Sequence, residues 1–299
     1  MAHEKDYSFS MEKRLYRLDA RLHKRFTDAV FALQYNLSNY KRIFPEYTDH
    51  SNLHSMTVID FCNRLIGDQI DSLNADELYV LLMGCYFHDT GMGITMKDYE
   101  EFSERIDFGS YFDSHPRDDL PAIIRAFHHE YSGLFIRKYA DLFEIPSPEY
   151  EQAIIQIARG HRKTDLMDEK EYPPDFTVPN GNFICLPYLS ALIRLADDID
   201  VAAARNPILL YDIDALTDEV QIVENKKVKA VRRLLVSESA FTLEVSTPEP
   251  NILDGIRQLI DKMQKSLDYC RTVVLGRTPY IITQEKVLLE LLPEQAGKP

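Results

Sequence analysis

Cysteine is scarce in this chain of 299 residues. The four present, Cys62, Cys85, Cys185 and Cys270, form no CxxC pair, and their gaps suggest no disulfide framework. They read as buried thiols of a reducing compartment. Long apolar runs are also missing: the longest, Leu78 to Phe87, is far too short to span a bilayer. The opening residues, Met1 to Lys13, are polar and charged, unlike a secretory signal. A soluble, cytoplasmic protein with no membrane partner is expected. Positive charge is in deficit, with 34 Lys plus Arg against 48 Asp plus Glu, which leaves −14. Such a surface repels a phosphate backbone and disfavours nonspecific nucleic-acid binding. A small phosphorylated substrate stays admissible if a metal holds it, because a bound cation inverts the local field.

What is present is the usual globular balance, 45% apolar and 27% charged. The length suits one large domain or two ordinary ones. Leu15, Leu18, Leu22, Phe26, Ala29, Val30 and Leu33 mark one face at helical spacing. A second helix is expected from Leu53 to Ile66, stopped by Gly67. Asn74, with Glu77 three residues on, opens a third that runs into His88-Asp89 and ends at Thr90-Gly91. The aromatic stretch Thr95 to Asp119 shows little periodicity and reads as a lid or surface insertion. Its rings, Tyr99, Phe102, Phe108, Tyr111 and Phe112, read as packing rather than as a base-stacking platform. Asp119 and Pro121 open another helix, Ser147-Pro148 one that runs to Gly160, and Leu186 to Arg205 is the last of this region. Lys163 to Gly181 reads as a long loop. Beyond Asn206-Pro207 the pattern changes. Phe241, Leu243 and Val245 alternate as a strand does, Ile252 to Leu267 form a long amphipathic helix, and Val287, Leu289 and Leu291 alternate again. The expected architecture is mainly α: a helical domain over residues 1–205 and a small α+β unit over 206–299, docked on it and carrying no catalytic residue.

The histidines of the helical part cluster where helices end. In order the polar candidates are His54, His88-Asp89, His128-His129, His161 and Asp197-Asp198. Imidazole with carboxylate suits a divalent metal such as Mn, Fe, Co, Ni or Mg. The helix "LIRLADDID" turns abruptly acidic, and buried carboxylates there are costly unless a cation compensates them. In "HHEYSGLFI", Gly133 stands four residues after His129, where a small residue permits close helix packing. His128 is expected to be structural or outward, since a neighbour does not share its helical face. His50 reads as a cap or a partner of the ligands, Asp198 and Asp200 as acids behind them or on the helix surface, and His23 and His115 as surface residues.

Taken in order, His54, His88, Asp89 and Asp197 resemble the pattern of the HD superfamily of metal-dependent phosphohydrolases over about residues 45–205. His54 precedes a valine by four residues, and Asp197 follows "Leu-Ala", as in that family. His129 and His161 match the two further histidines of its binuclear members, such as the HD-GYP phosphodiesterases. No Gly-Tyr-Pro follows His161, so cyclic di-GMP is not indicated, and Met92 stands where many relatives have lysine. The resemblance implies an HD-type helical bundle with two divalent ions bridged by Asp89. His54, His88 and Asp197 would hold one ion, and His129 and His161 the other. Catalysis would centre on Asp89 and His88, with a metal-bound hydroxide attacking the phosphorus of a monoester or diester, the expected substrates being nucleotides. Arg162, Lys163 or Arg125 would neutralise the phosphate. The rival readings are a regulatory module that keeps its metal ligands and serves a protein partner, and a single-strand nuclease, which the net charge disfavours.

Overall fold

The computed structural model describes residues 10–45, 47, 50–162, 164–201 and 219–293. The first apolar face is divided between two helices, α1 (Ser10–Leu18) and α2 (Ala20–Ser38). Asp19 causes the break. Its extended backbone and its side chain, which accepts from the Arg21 and Leu22 amides, cap α2 afresh. Leu18 is consequently turned to solvent, while Leu15, Leu22, Phe26, Ala29 and Leu33 are buried.

Helix α3 (Asn52–Ile66) starts at Ser51 and stops at Gly67, whose φ of 53° favours glycine. Helix α4 (Ala75–Phe87) opens with a complete capping box between Asn74 and Glu77. Residues 95–119 are more ordered than a periodicity count suggests. Thr95 caps a short helix α5 (Met96–Ser103), and its Phe102 is fully buried. Asp119 caps α6 (Leu120–Tyr139) by accepting from the Ala122 amide. Helix α7 (Pro148–Gly160) has proline in its first turn, but the Ser147 hydroxyl bonds Glu149 instead of the backbone. The stretch after His161 contains a small hairpin, β1 (Phe176–Thr177) with β2 (Phe183–Ile184). It leads into α8 (Leu186–Ile199), which is buried along nearly its whole length. That helix ends at Ile199, short of the expected Arg205, because the backbone of Asp200 leaves the helical region (ψ 72°); residues 202–205 lie outside the described residues.

The C-terminal part comprises α9 (Glu219–Ala230), β3 (Val231–Val236), β4 (Ala240–Val245), α10 (Pro250–Arg277) and β5 (Lys286–Leu291). The sheet order is β3-β4-β5. The hairpin β3-β4 is antiparallel, and β5 is parallel to β4 because the chain crosses over through α10. As the central strand, β4 buries even Glu244, which pairs with Arg233 at 2.6 Å. Ile252, Ile256, Met263 and Leu267 are the buried stripe of α10, and it continues through Cys270 to Val274. This stripe lies along α8, and both helices share one continuous apolar core with the rest of the chain. Polar ties reinforce the packing: Arg277 donates to the Leu166 and Tyr172 carbonyls, and Tyr280 stacks on Tyr188 with centroids 4.1 Å apart. The architecture is mainly α with a small C-terminal strand unit. No described helix is long and apolar enough to cross a membrane. The four cysteines are buried and unbridged.

Candidate metal centre

Five helices converge on one buried polar cluster. The first turn of α3 supplies His54, and the residue just before its cap is His50. Helix α4 runs out at His88, with Asp89 next. Helix α6 contributes His128 from its middle, α7 ends at His161, and the last turn of α8 carries Asp197, with Asp200 capping it. Helix ends suit this task because a side chain there can turn inward without displacing a packed neighbour.

Each imidazole is fixed through Nδ1. His88, His128 and His161 donate to carbonyls three residues earlier in their own helices, at Cys85, Arg125 and Ala158. His54 donates to the Asp200 carboxylate at 2.6 Å. A carbonyl only accepts, so Nδ1 carries the hydrogen and a neutral ring presents its Nε2 lone pair inward. Those nitrogens meet closely: His54 and His88 at 3.1 Å, His128 and His161 at 2.8 Å. Facing nitrogens at such distances can be bridged by a proton or by a metal cation.

The electrostatics agree. Burial works against a charged Asp89, yet His88, His50 and His54 outweigh it and hold the carboxyl well below the usual range. Asp197 behaves likewise, with His54 as its main support. Burial pushes His128 down to about 3, although Asp89 pulls the other way. Burial, with His88 and His128 alongside, also holds His161 well below its usual value. Ionised carboxylates and neutral imidazoles are the protonation states in which these groups bind metal.

The ligand atoms fall into trios within 4.8 Å of one another: His54, His88 and Asp197; Asp89, His128 and His161; and His50, His54 and Asp89. Nitrogen and carboxylate donors in this arrangement can hold metal ions of the divalent first-row type. Behind the ligands, Asp200 orients His54, as carboxylates commonly do for metal-binding imidazoles. Asp198 joins none of these trios: it lines the cleft beside them, bonded by Ser266 at 2.6 Å with Lys262 at 3.6 Å, and burial raises its carboxyl.

His54, His88, Asp89, His161 and Asp197 are thus brought together. His129 is not: His128 takes the place expected for it, and His129 instead points toward Glu130, 3.6 Å away. The reason is the register of α6. Ser132, one turn after His128, donates to the His88 carbonyl at 2.7 Å and accepts from the Gly91 amide at 2.8 Å. A Cβ on Gly91 would lie 2.1 Å from the His128 carbonyl oxygen, so the loop and the 128/132 face touch backbone to backbone. The 129/133 face is turned to α7, where Gly133 makes room for Ile155 and Arg159. The spacing His128-x-x-x-Ser132 was the available signal. His50, expected behind the ligands, lies 2.7 Å from Asp89 Oδ2 and joins one trio.

A cleft opens on the cluster. Arg125 and Arg162 line it, while Lys163 lies outside the described residues. Its opposite wall comes from the C-terminal unit, through Lys227 of α9 and Lys262 of α10. That unit therefore does more than dock. It shapes the approach to the metal centre.

Comparison with curated proteins and with solved structures returns no match. Residues 44–272 match the family HD-CE, a stretch that covers every group of the centre and runs on through α9, the sheet hairpin and most of α10. On that match, over well more than half its length, the chain belongs to the HD-CE family.

Proposed function

We propose that the protein is a metal-dependent phosphohydrolase acting on a phosphomonoester or phosphodiester of a nucleotide, with two divalent ions sharing Asp89. One observation carries this reading. Asp89 Oδ2 faces His54 and His88 at 3.4 and 3.5 Å, while Oδ1 faces His128 at 3.4 Å and His161 at 3.9 Å. The carboxylate stands between two sets of nitrogen donors, one oxygen toward each. Asp197 completes the first set, 3.2 Å from His54 Nε2. Six protein groups and His50 would overfill a single ion. Bound there, two divalent ions would supply a water of lowered pKa and a positive clamp for a phosphoryl oxygen.

The chain's own residues do the rest. Nδ1 tethers keep the imidazoles aimed, and Asp200 preserves the charge balance behind His54. Arg125 and Arg162 at the cleft neutralise phosphate, and arginine suits this because its planar fork matches two phosphate oxygens. The acidic remainder of the surface favours a small substrate over a polynucleotide.

The test is elemental analysis of the full chain at saturating Mn2+, with turnover of chromogenic phosphomonoesters and diesters. Two ions per chain are expected, with turnover lost to chelator and restored by metal. His128→Ala should lower the count toward one, and His129→Ala should leave it at two. A wild-type count of one at saturation sinks the binuclear arrangement. A fully loaded protein that turns over no phosphoester leaves a metal-holding regulatory module as the better reading.

A further inference from the structure

A second cavity adjoins the metal cleft, and Arg125 and Arg162 line both. Its character differs. Tyr47, Tyr111, His115 and Phe127 supply aromatic walls, Ala122 and Ala126 of α6 form a small-residue floor, and His129 completes the lining. The aromatic walls are braced. Tyr111 stacks on His115 with centroids 4.1 Å apart and planes 4° from parallel, and meets Phe127 edge to face at 5.1 Å. Phe108 packs against Phe127 from behind. Across the cavity, the Arg125 guanidinium lies over the Tyr47 ring at 4.8 Å. Rings locked in this way lose little freedom when a flat partner slides between them.

We propose that this cavity is a subsite for the flat heteroaromatic ring of the substrate, with Tyr111 and Phe127 as specificity-determining residues and the two arginines marking the passage to the metal centre. Three features converge on it. The walls are aromatic rings, a residue type on which every nucleobase can stack. The floor carries alanines, so the space is not filled by the protein itself. The shared arginines lie where a ring in one cavity and a phosphate in the other would be joined. This also gives His129 a place: a buried imidazole in the lining of an aromatic slot can exchange hydrogen bonds with the edge of a base. Tyr111, in a stretch whose composition suggested packing alone, both packs and lines the slot. The position of the phosphate in this proposal rests on the phosphohydrolase reading of the metal centre.

The experiment separates the two. The full chain, stripped of metal by chelator, is titrated with adenosine 5′-monophosphate, guanosine 5′-monophosphate and ribose 5-phosphate, and binding is followed by saturation-transfer NMR. At least one nucleotide should bind roughly 5- to 100-fold more tightly than ribose 5-phosphate, the range that stacking on an aromatic side chain supplies. Saturation should be strongest on the base protons. Tyr111→Ala should remove most of that advantage and leave ribose 5-phosphate unchanged. Ala122→Phe, which fills the slot from the partly exposed face of α6, should do the same and serves if Tyr111→Ala fails to fold. Equal affinity for all three probes, or a base preference untouched by both variants, overturns the subsite. Hydrolysis plays no part in this readout, so an inactive metal centre does not affect it.

Discussion

Helix α4 has a buried aspartate at each end, and the two are surrounded in opposite ways. Asp76, in its first turn, is 1% exposed, and Asp89, just past its last, is 3% exposed. Around Asp76 stand donors only: the Tyr150 hydroxyl, Asn180 Nδ2 at 2.9 Å and Asn182 Nδ2 at 2.7 Å. Its charge is answered within the protein, and the result is an anchor that ties the β1-β2 hairpin and α7 to α4. Around Asp89 stand imidazoles whose hydrogens are mostly committed elsewhere. Its charge is answered only in part, and the nitrogens beside it have lone pairs to spare. A buried carboxylate among donors is structural. One set largely among acceptors has the chemistry to hold a cation.

The sharpest way to break this comparison is to remove the charge of each aspartate in turn. Asp89→Asn should abolish metal retention and reduce hydrolysis by about 1000-fold, on the scale of losing a principal charge stabiliser. In the metal-free protein it should lower the melting temperature, but by less than the Asp76 change, because the neighbours of Asp89 favour its ionised form. Asp76→Ala should do the reverse, keeping the metal count and losing roughly 2–4 kcal/mol of stability as its donors become unsatisfied. Denaturant melts and elemental analysis on both variants check the pair, and matching losses in both would erase the distinction.

A smaller effect is expected behind the ligands. Asp200→Asn removes the carboxylate that holds His54 and should weaken metal affinity about 10- to 100-fold without lowering the saturated count. Metal titration in a competing chelator reads this directly. A lowered count at saturation would make Asp200 a ligand.

The smallest effect concerns pH in the metal-free protein. His128 titrates near 3 when folded, against 6.5 when free. Between those values the unfolded chain binds a proton that the folded chain refuses, so stability falls as pH drops below about 6.5. Asp89, depressed from 3.8, adds to the loss only below that lower value. Urea melts at pH 7.5 and pH 5.0 should differ by on the order of 1 kcal/mol more in wild type than in His128→Gln. Equal differences would mean that His128 is protonated in the folded state.

The same comparison shows what the sequence makes legible. The start of α4 could be read because a capping box is local, and its end because a helix emptying into His-Asp is local too. The ligands His54, His88, Asp89, His161 and Asp197 share that property: each stands at or near a helix end that short-range signals mark. His128 stands in mid-helix, where only the facing loop decides which of two adjacent histidines turns inward. The choice depends on Ser132 and Gly91, 41 residues apart in the chain; the His128-x-x-x-Ser132 spacing is its local trace, but the approach of Gly91 that gives the spacing meaning is not local. The break at Asp19 was missed for a related reason, since the apolar spacing on either side hides a cap. The cleft wall from α9 and α10 is a matter of docking. A helix stripe announces that it will be buried, but not which polar residues on its flank come to overlook a site.

Gly91 places a limit on how this protein can vary. The approach of the His128 carbonyl leaves no room for even one methyl group there. A substitution at 91 would have to push α6 away from the loop and carry His128 with it, so a change in the loop would be transmitted directly to the candidate metal centre. Drift at positions 91, 128 and 132 is therefore not independent.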